Sequence, residues 1–202
     1  MTRLLLATRN AGKLGELRRI LDGAGLVGIE LLGLADVAEF DEAPETAPTF
    51  EGNALAKARD AAAATGLPSI ADDSGLAVDA LNGMPGVLSA RWSGGHGDDG
   101  ANLRLLLRQL ADVPDERRGA AFVCAAALVV PVAEPVETVV TGRWSGLIVR
   151  EPRGTNGFGY DPVFQPVGES RTSAELEPAE KDAASHRGLA LRALLPDLAG
   201  LA

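Results

Sequence analysis

The strongest indication of the fold is the stretch Arg3-Leu4-Leu5-Leu6-Ala7-Thr8-Arg9-Asn10-Ala11-Gly12-Lys13-Leu14, in which a short apolar run passes into a polar turn. Residues 3–8 have the composition of a buried strand. After the turn, Leu14, Leu17 and Leu21 recur at helical spacing. The stretch therefore predicts a strand, a loop and a helix in that order.

Outward from this stretch, strand and helix patterns continue to alternate. A second strand is expected at 30–34, and Thr49 can cap a helix that runs to about residue 65, where Gly66 and Pro68 stop it. The remaining predicted elements are a brief strand at 69–71, a helix at 101–110, a hairpin at 120–131 and 136–142, and a closing helix at 185–198. The hairpin is expected to form the central sheet. Because no linker or repeat divides the sequence, residues 1–202 are expected to form a single domain.

The composition excludes some classes of partner. The chain has 202 residues and a formal net charge of -9, whereas polymeric nucleic acid is bound through clustered Lys and Arg that displace counterions. We therefore expect no polymeric nucleic acid as a partner, while a small anion could still bind at a local site or through a metal. Cys124 is the only cysteine and lies in the apolar run 120–130, which excludes an intrachain disulfide and favours a buried thiol.

Hydrophobic segments are short throughout the sequence. One Arg precedes the apolar run 4–7, and no cleavage-site pattern follows, so we expect no signal peptide. No run approaches the roughly 18 consecutive apolar residues that would cross a bilayer. The expected location is the cytoplasm, with no membrane partner.

The loop at 8–13 is a candidate anion site. The helix that follows it presents unpaired amide groups and the positive end of its dipole, and Lys13 adds a full charge. The loop is not a Walker P-loop, which requires Gly where Ala7 stands and Ser or Thr where Leu14 stands. An ordinary strand-to-helix turn with a surface lysine explains the same residues, so both interpretations stay open.

Two adjacent carboxylates, Asp72 and Asp73, follow the predicted strand at 69–71. Successive side chains of a strand point to opposite faces, so only one of the two can readily face a given cleft, and we expect it to be Asp73. Mg²⁺ takes oxygen ligands from one or two carboxylates together with water and phosphate, and Glu42 or Glu45 could supply the second carboxylate. A turn in which both aspartates cap local amide groups is the alternative.

A glycine-rich loop at 155–161 contains the sequence Phe158-Gly159-Tyr160-Asp161. An aromatic ring there could stack on a nucleobase, and Asp161 could accept a hydrogen bond from it, although loop aromatics also serve as plain packing. Lys181, His186 and Arg187 lie in or beside a polar stretch before the closing helix, which Ser185 could cap. Binding and purely structural roles both stay open for this cluster.

Six ordered motifs resemble those of the inosine triphosphate pyrophosphatase family, also called the non-canonical purine nucleotide pyrophosphatases, over almost the whole chain. The motifs are Leu6-Ala7-Thr8-Arg9-Asn10-Ala11-Gly12-Lys13, Thr49-Phe50-Glu51-Gly52-Asn53-Ala54, Ala71-Asp72-Asp73-Ser74-Gly75-Leu76, Pro85-Gly86-Val87 with Ser89-Ala90-Arg91, Gly157-Phe158-Gly159-Tyr160-Asp161-Pro162, and Lys181 with Ser185-His186-Arg187-Gly188. Many members carry Gly where this sequence has Arg9, which leaves the shape of the first loop open.

The resemblance implies roles for individual residues. Those implied to hold the triphosphate are Thr8, Arg9, Asn10, Ala11, Gly12 and Lys13. Asp73 is implied to be the proton acceptor and a Mg²⁺ ligand, Glu45 a further Mg²⁺ ligand with Glu42 as the alternative, and Ser74 a substrate contact. Those implied to surround the base are Phe158, Gly159, Tyr160, Asp161, Lys181, His186 and Arg187.

The resemblance also implies a fold and a reaction. The expected protein is an elongated α/β homodimer with a long central mixed sheet flanked by helices and a cleft between two lobes. The expected reaction is Mg²⁺-dependent hydrolysis of ITP, dITP or XTP to the monophosphate and pyrophosphate, which would cleanse the nucleotide pool. Two alternatives stay open: a Mg²⁺-dependent phosphatase that releases orthophosphate from nucleotides or sugar phosphates, and a non-enzymatic nucleotide-binding regulator.

Overall fold

The computed structural model describes residues 1–41 and 44–201, so Glu42, the alternative metal ligand, lies outside the described residues. The strands in this part of the chain are β1 (Thr2–Leu6), β2 (Ile29–Leu32), β3 (Ser69–Val78), β4 (Gly119–Val130), β5 (Val136–Ile148) and β6 (Phe164–Pro166). The α-helices are α1 (Ala11–Gly23), α2 (Phe50–Thr65), α3 (Asp99–Gln109), α4 (Pro178–Ala184), α5 (His186–Ala193) and α6 (Leu195–Ala199). The predicted α/β class is confirmed.

β1 lies where the chain changes direction across the sheet. The order of the described strands is β2-β1-β3-β4-β5-β6, with β1 parallel to both β2 and β3. β5 and β6 pair in antiparallel orientation, so the sheet is mixed, as expected. Open α/β sheets bind ligands outside the carboxyl ends of their strands at such a switch point, and β1 ends just before the candidate loop at 8–13.

α2 follows its sequence signals closely. The hydroxyl of Thr49 accepts a hydrogen bond from the backbone N of Gly52 at 3.1 Å, and Gly66 ends the helix at a φ of 68°. Ala54, Ala58 and Ala62 recur at four-residue spacing and pack, fully buried, with alanines of β3 and β4. The predicted helix, its cap and its end are confirmed.

β3 is longer than the sequence indicated. The prediction ended the strand at residue 71, whereas β3 continues to Val78 and holds Asp72 and Asp73 in its interior. Both carboxylates form ion pairs with lysines of other elements, so the strand can bury them without breaking. The expectation that they stand at a strand end is therefore wrong.

β4 and β5 form the predicted hairpin, because neighbouring strands joined by residues 131–135 alone are too close in sequence for a parallel crossover. β5 extends beyond the predicted end at Gly142. Trp144 and Ile148 continue the burial of alternate residues, and the strand follows this pattern to Ile148.

The closing helix predicted at 185–198 is divided into α5 and α6. Pro196 stands in the first turn of α6, and proline cannot donate the hydrogen bond that would continue α5. The preceding α4 was not predicted. Ser185 is the C-cap of α4 and also the residue directly before α5, the position expected for an N-cap.

The chain forms two compact units, each with its own core. The first unit consists of Met1–Asp73, Cys124–Gly142 and Arg187–Ala202, and the second of Ser74–Val123 and Arg143–His186. Cys124 is buried in the leucine-rich core of the first unit, as expected, and Phe122, Trp144 and Phe164 pack in the second. Among the described residues, we find no helix with the length and apolar character needed to span a membrane. The elongated shape and the cleft stay predictions.

Candidate active site

The loop at 8–13 is a capped helix start. Asn10 is the N-cap of α1, and its Oδ1 accepts a hydrogen bond from the backbone N of Gly12 at 2.9 Å. Thr8 Oγ1 accepts one from the backbone N of Asn10 at 3.2 Å. The loop is thus fixed by its own side chains, and the predicted strand-loop-helix order is confirmed. Phosphate binding by the loop stays a prediction.

A pocket of about 500 Å³ opens beside this loop. Thr8, Arg9, Asn10 and Leu14 line one part of it, and residues 33–40 line the rest. Ligand pockets have volumes of about 300–1,000 Å³. This one is therefore large enough to receive part of a ligand that the loop holds, and Arg9 brings a cationic side chain to it.

Asp72 is the centre of a buried ion-pair cluster. Lys13 Nζ donates hydrogen bonds to both carboxylate oxygens, at 3.0 and 2.8 Å, and Arg187 Nε donates to Oδ2 at 3.3 Å. Arg187 Nη1 also lies 3.8 Å from Glu16 Oε2. Asp72 thereby links Lys13, which was expected to contact the phosphates, to Arg187, which was expected to contact the base.

Asp73 has a separate set of partners, as the alternation of side chains along a strand predicts. Asn53 Nδ2 donates to its Oδ2 at 3.0 Å, and Lys57 Nζ lies 3.3 Å from its Oδ1. The same Lys57 Nζ donates to Glu45 Oε1 at 2.8 Å. Asp73 and Glu45, the two residues expected to bind the metal, therefore converge on one cationic atom.

The two neighbouring aspartates have opposite pKa shifts. Burial alone would raise the pKa of Asp72, but the charges of Lys13 and Arg187 outweigh it and hold this pKa well below its usual range. At Asp73 burial prevails and raises the pKa, against the opposing charge of Lys57 and the hydrogen bond from Asn53. Asp72 is thus a persistent anion, and Asp73 is a stronger base than an ordinary aspartate.

The oxygen atoms of Asp73 and Glu45 fit a magnesium ion. Carboxylate oxygens are the hard ligands that Mg²⁺ prefers, and Lys57 already shows that a cation can contact both groups. Among residues 1–41 and 44–201, no three His, Cys, Asp or Glu side chains gather into a metal site. Mg²⁺ commonly uses one or two carboxylates and completes its shell with water and phosphate.

The glycine-rich loop exposes one of its two aromatic rings. Phe158 is 62% exposed, whereas Tyr160 is 4% exposed and its hydroxyl donates to the carbonyl oxygen of Ser89 at 2.9 Å. Phe158 is therefore the ring that could stack on a base. Tyr160 packs in the core of the second unit, and its contact with a base stays a prediction.

Asp161 organises the rest of this loop. It is 3% exposed and accepts hydrogen bonds from the backbone N of Phe158 and from Ser173 Oγ, both at 2.8 Å. Lys181 Nζ donates to the same carboxylate and lies 5.7 Å from the centre of the Phe158 ring. Phe158, Asp161 and Lys181 are thus brought together as expected, with Asp161 bonded to the protein itself.

The remaining expected contacts lie elsewhere in the two units. The ring of His186 stacks on Phe122, with centroids 5.0 Å apart, and is 8% exposed. Its neighbour Arg187 belongs to the Asp72 cluster of the first unit. Ser74 is half-buried in β3, and Gly159 donates its backbone N–H to Asp99 Oδ2 at 2.9 Å.

Sequence reasoning missed Asn53 and Lys57, which contact Asp73. A signal was present, because the two residues are four apart and therefore share one face of α2. Asn53 is only 2% exposed in a helix otherwise packed through alanines. A buried polar side chain needs a hydrogen-bond partner, and Asp73 is a partner of Asn53.

Comparison with known proteins shows the family of the chain. The dITP/XTP pyrophosphatase of Nocardia farcinica is 70% identical over 202 residues, covering 100% of this chain and 97% of the relative. The dITP/XTP pyrophosphatase of Mycobacterium tuberculosis H37Rv is 67% identical, covering 100% and 98%. The resemblance inferred from the motifs is confirmed.

Solved structures of similar proteins also support the family assignment. A nucleoside-triphosphatase / dITP/XTP pyrophosphatase from Mycobacterium abscessus is 63% identical with a TM-score of 0.82, covering 98% of this chain and 100% of that one. A HAM1 protein from Coxiella burnetii is 42% identical with a TM-score of 0.90, covering 99% and 100%. The model of the Ham1 family matches residues 4–197, and the chain therefore belongs to the Ham1 family.

Proposed function

We propose that this chain hydrolyses non-canonical purine nucleoside triphosphates, such as dITP, XTP and ITP, to the monophosphate and pyrophosphate. Relatives with 70% and 67% identity that bear the name dITP/XTP pyrophosphatase support this reaction. The observation that carries it is the convergence of Asp73 and Glu45 on one cationic atom. We propose that residues 1–202 act as a single pyrophosphatase domain.

Asp73 is the proposed proton acceptor for the attacking water. Burial raises its pKa, which brings its basicity closer to that required at neutral pH. Asn53 and Lys57 bind its two oxygens and so fix the orientation of the carboxylate. The water oxygen bonds to the α-phosphorus while pyrophosphate leaves with the electrons of the bridging bond.

Asp73 and Glu45 are the proposed ligands of Mg²⁺. When bound, the ion would supply positive charge to the phosphates and lower the pKa of the water. Lys13 and the start of α1 are proposed to hold the triphosphate through charge and backbone amide groups. Catalysis would thus consist mainly of positioning and charge neutralisation.

Base selection is proposed for the group around Phe158, with the ring stacked on the purine. Hypoxanthine and xanthine carry a carbonyl acceptor at the 6-position, where adenine carries an amino donor. Lys181 is a donor only, and Asp161 holds it beside the ring. Facing adenine, this donor would be unsatisfied at a cost of about 1–3 kcal/mol, so ATP should be a poor substrate.

Two further features remain proposals. The protein is proposed to act as a homodimer in the cytoplasm, where removal of non-standard purine nucleotides would protect the precursor pool. Equilibrium sedimentation of the purified protein tests the dimer.

The function is tested by incubating the purified protein with ITP, XTP, GTP and ATP, with and without Mg²⁺. Pyrophosphate, orthophosphate and nucleotide products are measured separately. We expect pyrophosphate and monophosphate from ITP and XTP, dependent on Mg²⁺ and scarce with ATP. Orthophosphate as the first product would instead identify a phosphatase, and binding without turnover would identify a regulator.

A further inference from the structure

Asp72 has no part in the proposed reaction, yet it is an almost fully enclosed acid next to the proposed proton acceptor. Only 4% of its side chain is exposed. A buried carboxylate is unfavourable unless it is paired, and this one is paired with Lys13 and Arg187. Its position beside the proposed phosphate loop suggests a role beyond stability.

The geometry leaves Lys13 able to bind a ligand. An ammonium group has three N–H donors, and the two oxygens of Asp72 accept two of them, at 3.0 and 2.8 Å. The Lys13 side chain keeps 21% exposure in this pair. Within the described part of the chain, one donor therefore remains for a phosphate oxygen while the other two fix the position of the nitrogen.

Holding the Lys13 nitrogen in a fixed position affects the affinity for a phosphate ligand. Lysine has a flexible four-carbon side chain, and a ligand that must order it loses binding free energy to the lost rotamer freedom. Asp72 orders it in advance. Asp72 is itself fixed from behind, because Arg187 binds both its Oδ2 and the buried Glu16.

We propose that Asp72 is a positioning residue for phosphate binding, which holds the ammonium of Lys13 ready at the loop and acts only through Lys13. This inference rests on the proposed function, since it takes the loop to be the phosphate site. An ion pair with a purely structural role would stabilise the fold and leave phosphate affinity unchanged.

A double-mutant cycle tests the inference. The affinity for inorganic tripolyphosphate in the presence of Mg²⁺ is measured by calorimetry for the wild type, Asp72→Asn, Lys13→Met and the double variant. We expect each single variant to weaken binding at least tenfold and the double variant to match Lys13→Met within twofold. Unchanged affinity in Asp72→Asn, or a double loss equal to the product of the single losses, would overturn the inference.

Asp161→Asn is the matched control, because it makes the same change in another buried aspartate that binds a lysine. That pair belongs to the proposed base site, and tripolyphosphate has no base, so its affinity should stay within twofold. A loss as large as that of Asp72→Asn would point to general damage and contradict the inference.

Thermal unfolding of every variant comes first. If Asp72→Asn is unfolded at the assay temperature, Asp72→Glu replaces it, because it keeps a negative charge for Arg187 but moves the carboxylate by one methylene. We expect a folded Asp72→Glu variant to bind tripolyphosphate at least fivefold more weakly, and wild-type affinity would contradict the inference.

The two proposals fail in different ways. Absence of pyrophosphate release from ITP by the wild type would remove the proposed function, while the tripolyphosphate cycle would still decide the role of Asp72. A wild-type protein that turns over ITP but binds no tripolyphosphate would overturn the positioning role alone.

Discussion

Asp72 and Asp73 illustrate how neighbouring identical residues acquire different chemistry. Two cations surround Asp72, and the carboxylate stays ionised. At Asp73 the effect of burial exceeds that of the neighbouring cation and hydrogen bond, so its pKa lies above the usual aspartate value. Asp73, whose ionised form is less well compensated by its surroundings, is therefore the stronger base of the two, which agrees with its proposed role.

We predict that Asp73→Asn abolishes most turnover without weakening the fold. Loss of a proton acceptor should lower kcat for ITP by about 10²–10⁴-fold. Because the folded state raises the pKa of Asp73, the ionised form destabilises the fold as the pH rises through the usual aspartate pKa. The thermal midpoint of the variant at neutral pH without Mg²⁺ should therefore equal or exceed that of the wild type. Substantial turnover in a folded variant would refute the assignment.

At the level of elements, the loop at 155–161 depends on a glycine in one position. Gly157 has a φ of 79°, and a Cβ atom there would overlap Asp161 Oδ2 and lie 2.8 Å from Lys181 Nζ. Backbone and side chains of this loop are therefore tightly coupled around the Asp161 carboxylate.

We predict that Gly157→Ala raises the KM for ITP about tenfold, because the added methyl group must displace Asp161 and with it Phe158 and Lys181. Gly159→Ala is the matched control: Gly159 also has a positive φ, of 61°, but its Cβ would enter open space. Steady-state kinetics should show a smaller increase in the KM for ITP in Gly159→Ala than in Gly157→Ala. Equal effects would mean that backbone strain, and not displacement of Asp161, is responsible.

A buried arginine ties α3 to the end of β5. Arg118 is 2% exposed, and its guanidinium donates to the carbonyl oxygens of Leu110 at 2.6 Å and Ile148 at 2.7 Å. Burial lowers the pKa of Arg118, yet an arginine remains charged. The Leu110 oxygen also accepts from the backbone N of Val113 at 3.0 Å, so Arg118 adds a charged donor there and links two segments through one cation.

We predict that Arg118→Met destabilises the protein by about 1–3 kcal/mol, because buried carbonyl oxygens lose a charged hydrogen-bond donor. Thermal unfolding measures the loss. Arg117→Met, a change at the exposed neighbouring position, is the control and should shift the midpoint by much less. Equal midpoints for the two variants would show that the Arg118 hydrogen bonds contribute little.

At the level of the whole molecule, lysine side chains are held at particular sites although the net charge is negative. The chain has a net charge of -9, which disfavours anionic ligands at long range. Lys13, Lys57 and Lys181 are nevertheless each held by a buried or half-buried carboxylate. These pairs hold cationic nitrogen atoms in fixed positions within an acidic protein.

We predict that the two lysines of the proposed phosphate and base sites have separable effects. Lys181→Met should narrow the ITP-to-ATP ratio of kcat/KM by about tenfold, since the donor that penalises adenine is lost. Lys13→Met should lower kcat/KM for ITP and kcat/KM for ATP by similar factors, because both substrates carry the same triphosphate. Measurements with both nucleotides test this, and an unchanged ratio in Lys181→Met would remove Lys181 from base recognition.

Local signals were sufficient for much of the secondary structure. The strand-loop-helix order, the Thr49 cap and the end of α2 at Gly66 depend on neighbours in sequence, and all three are confirmed. The predicted ends of β3 and β5 were wrong because burial and ion pairs from other elements extend these strands.

The α/β class, the family motifs and the residue types that could hold a phosphate, a metal or a base follow from sequence alone. The partners of these residues depend on contacts between distant segments: Lys13 and Asp72 are 59 positions apart, and Asp72 and Arg187 are 115 apart. The burial of Tyr160 and the contact between Lys57 and Asp73 were decided in the same way. The physical reason is that capping and periodicity act between neighbours in the chain, whereas ion pairing and desolvation depend on which distant segments the fold brings into contact.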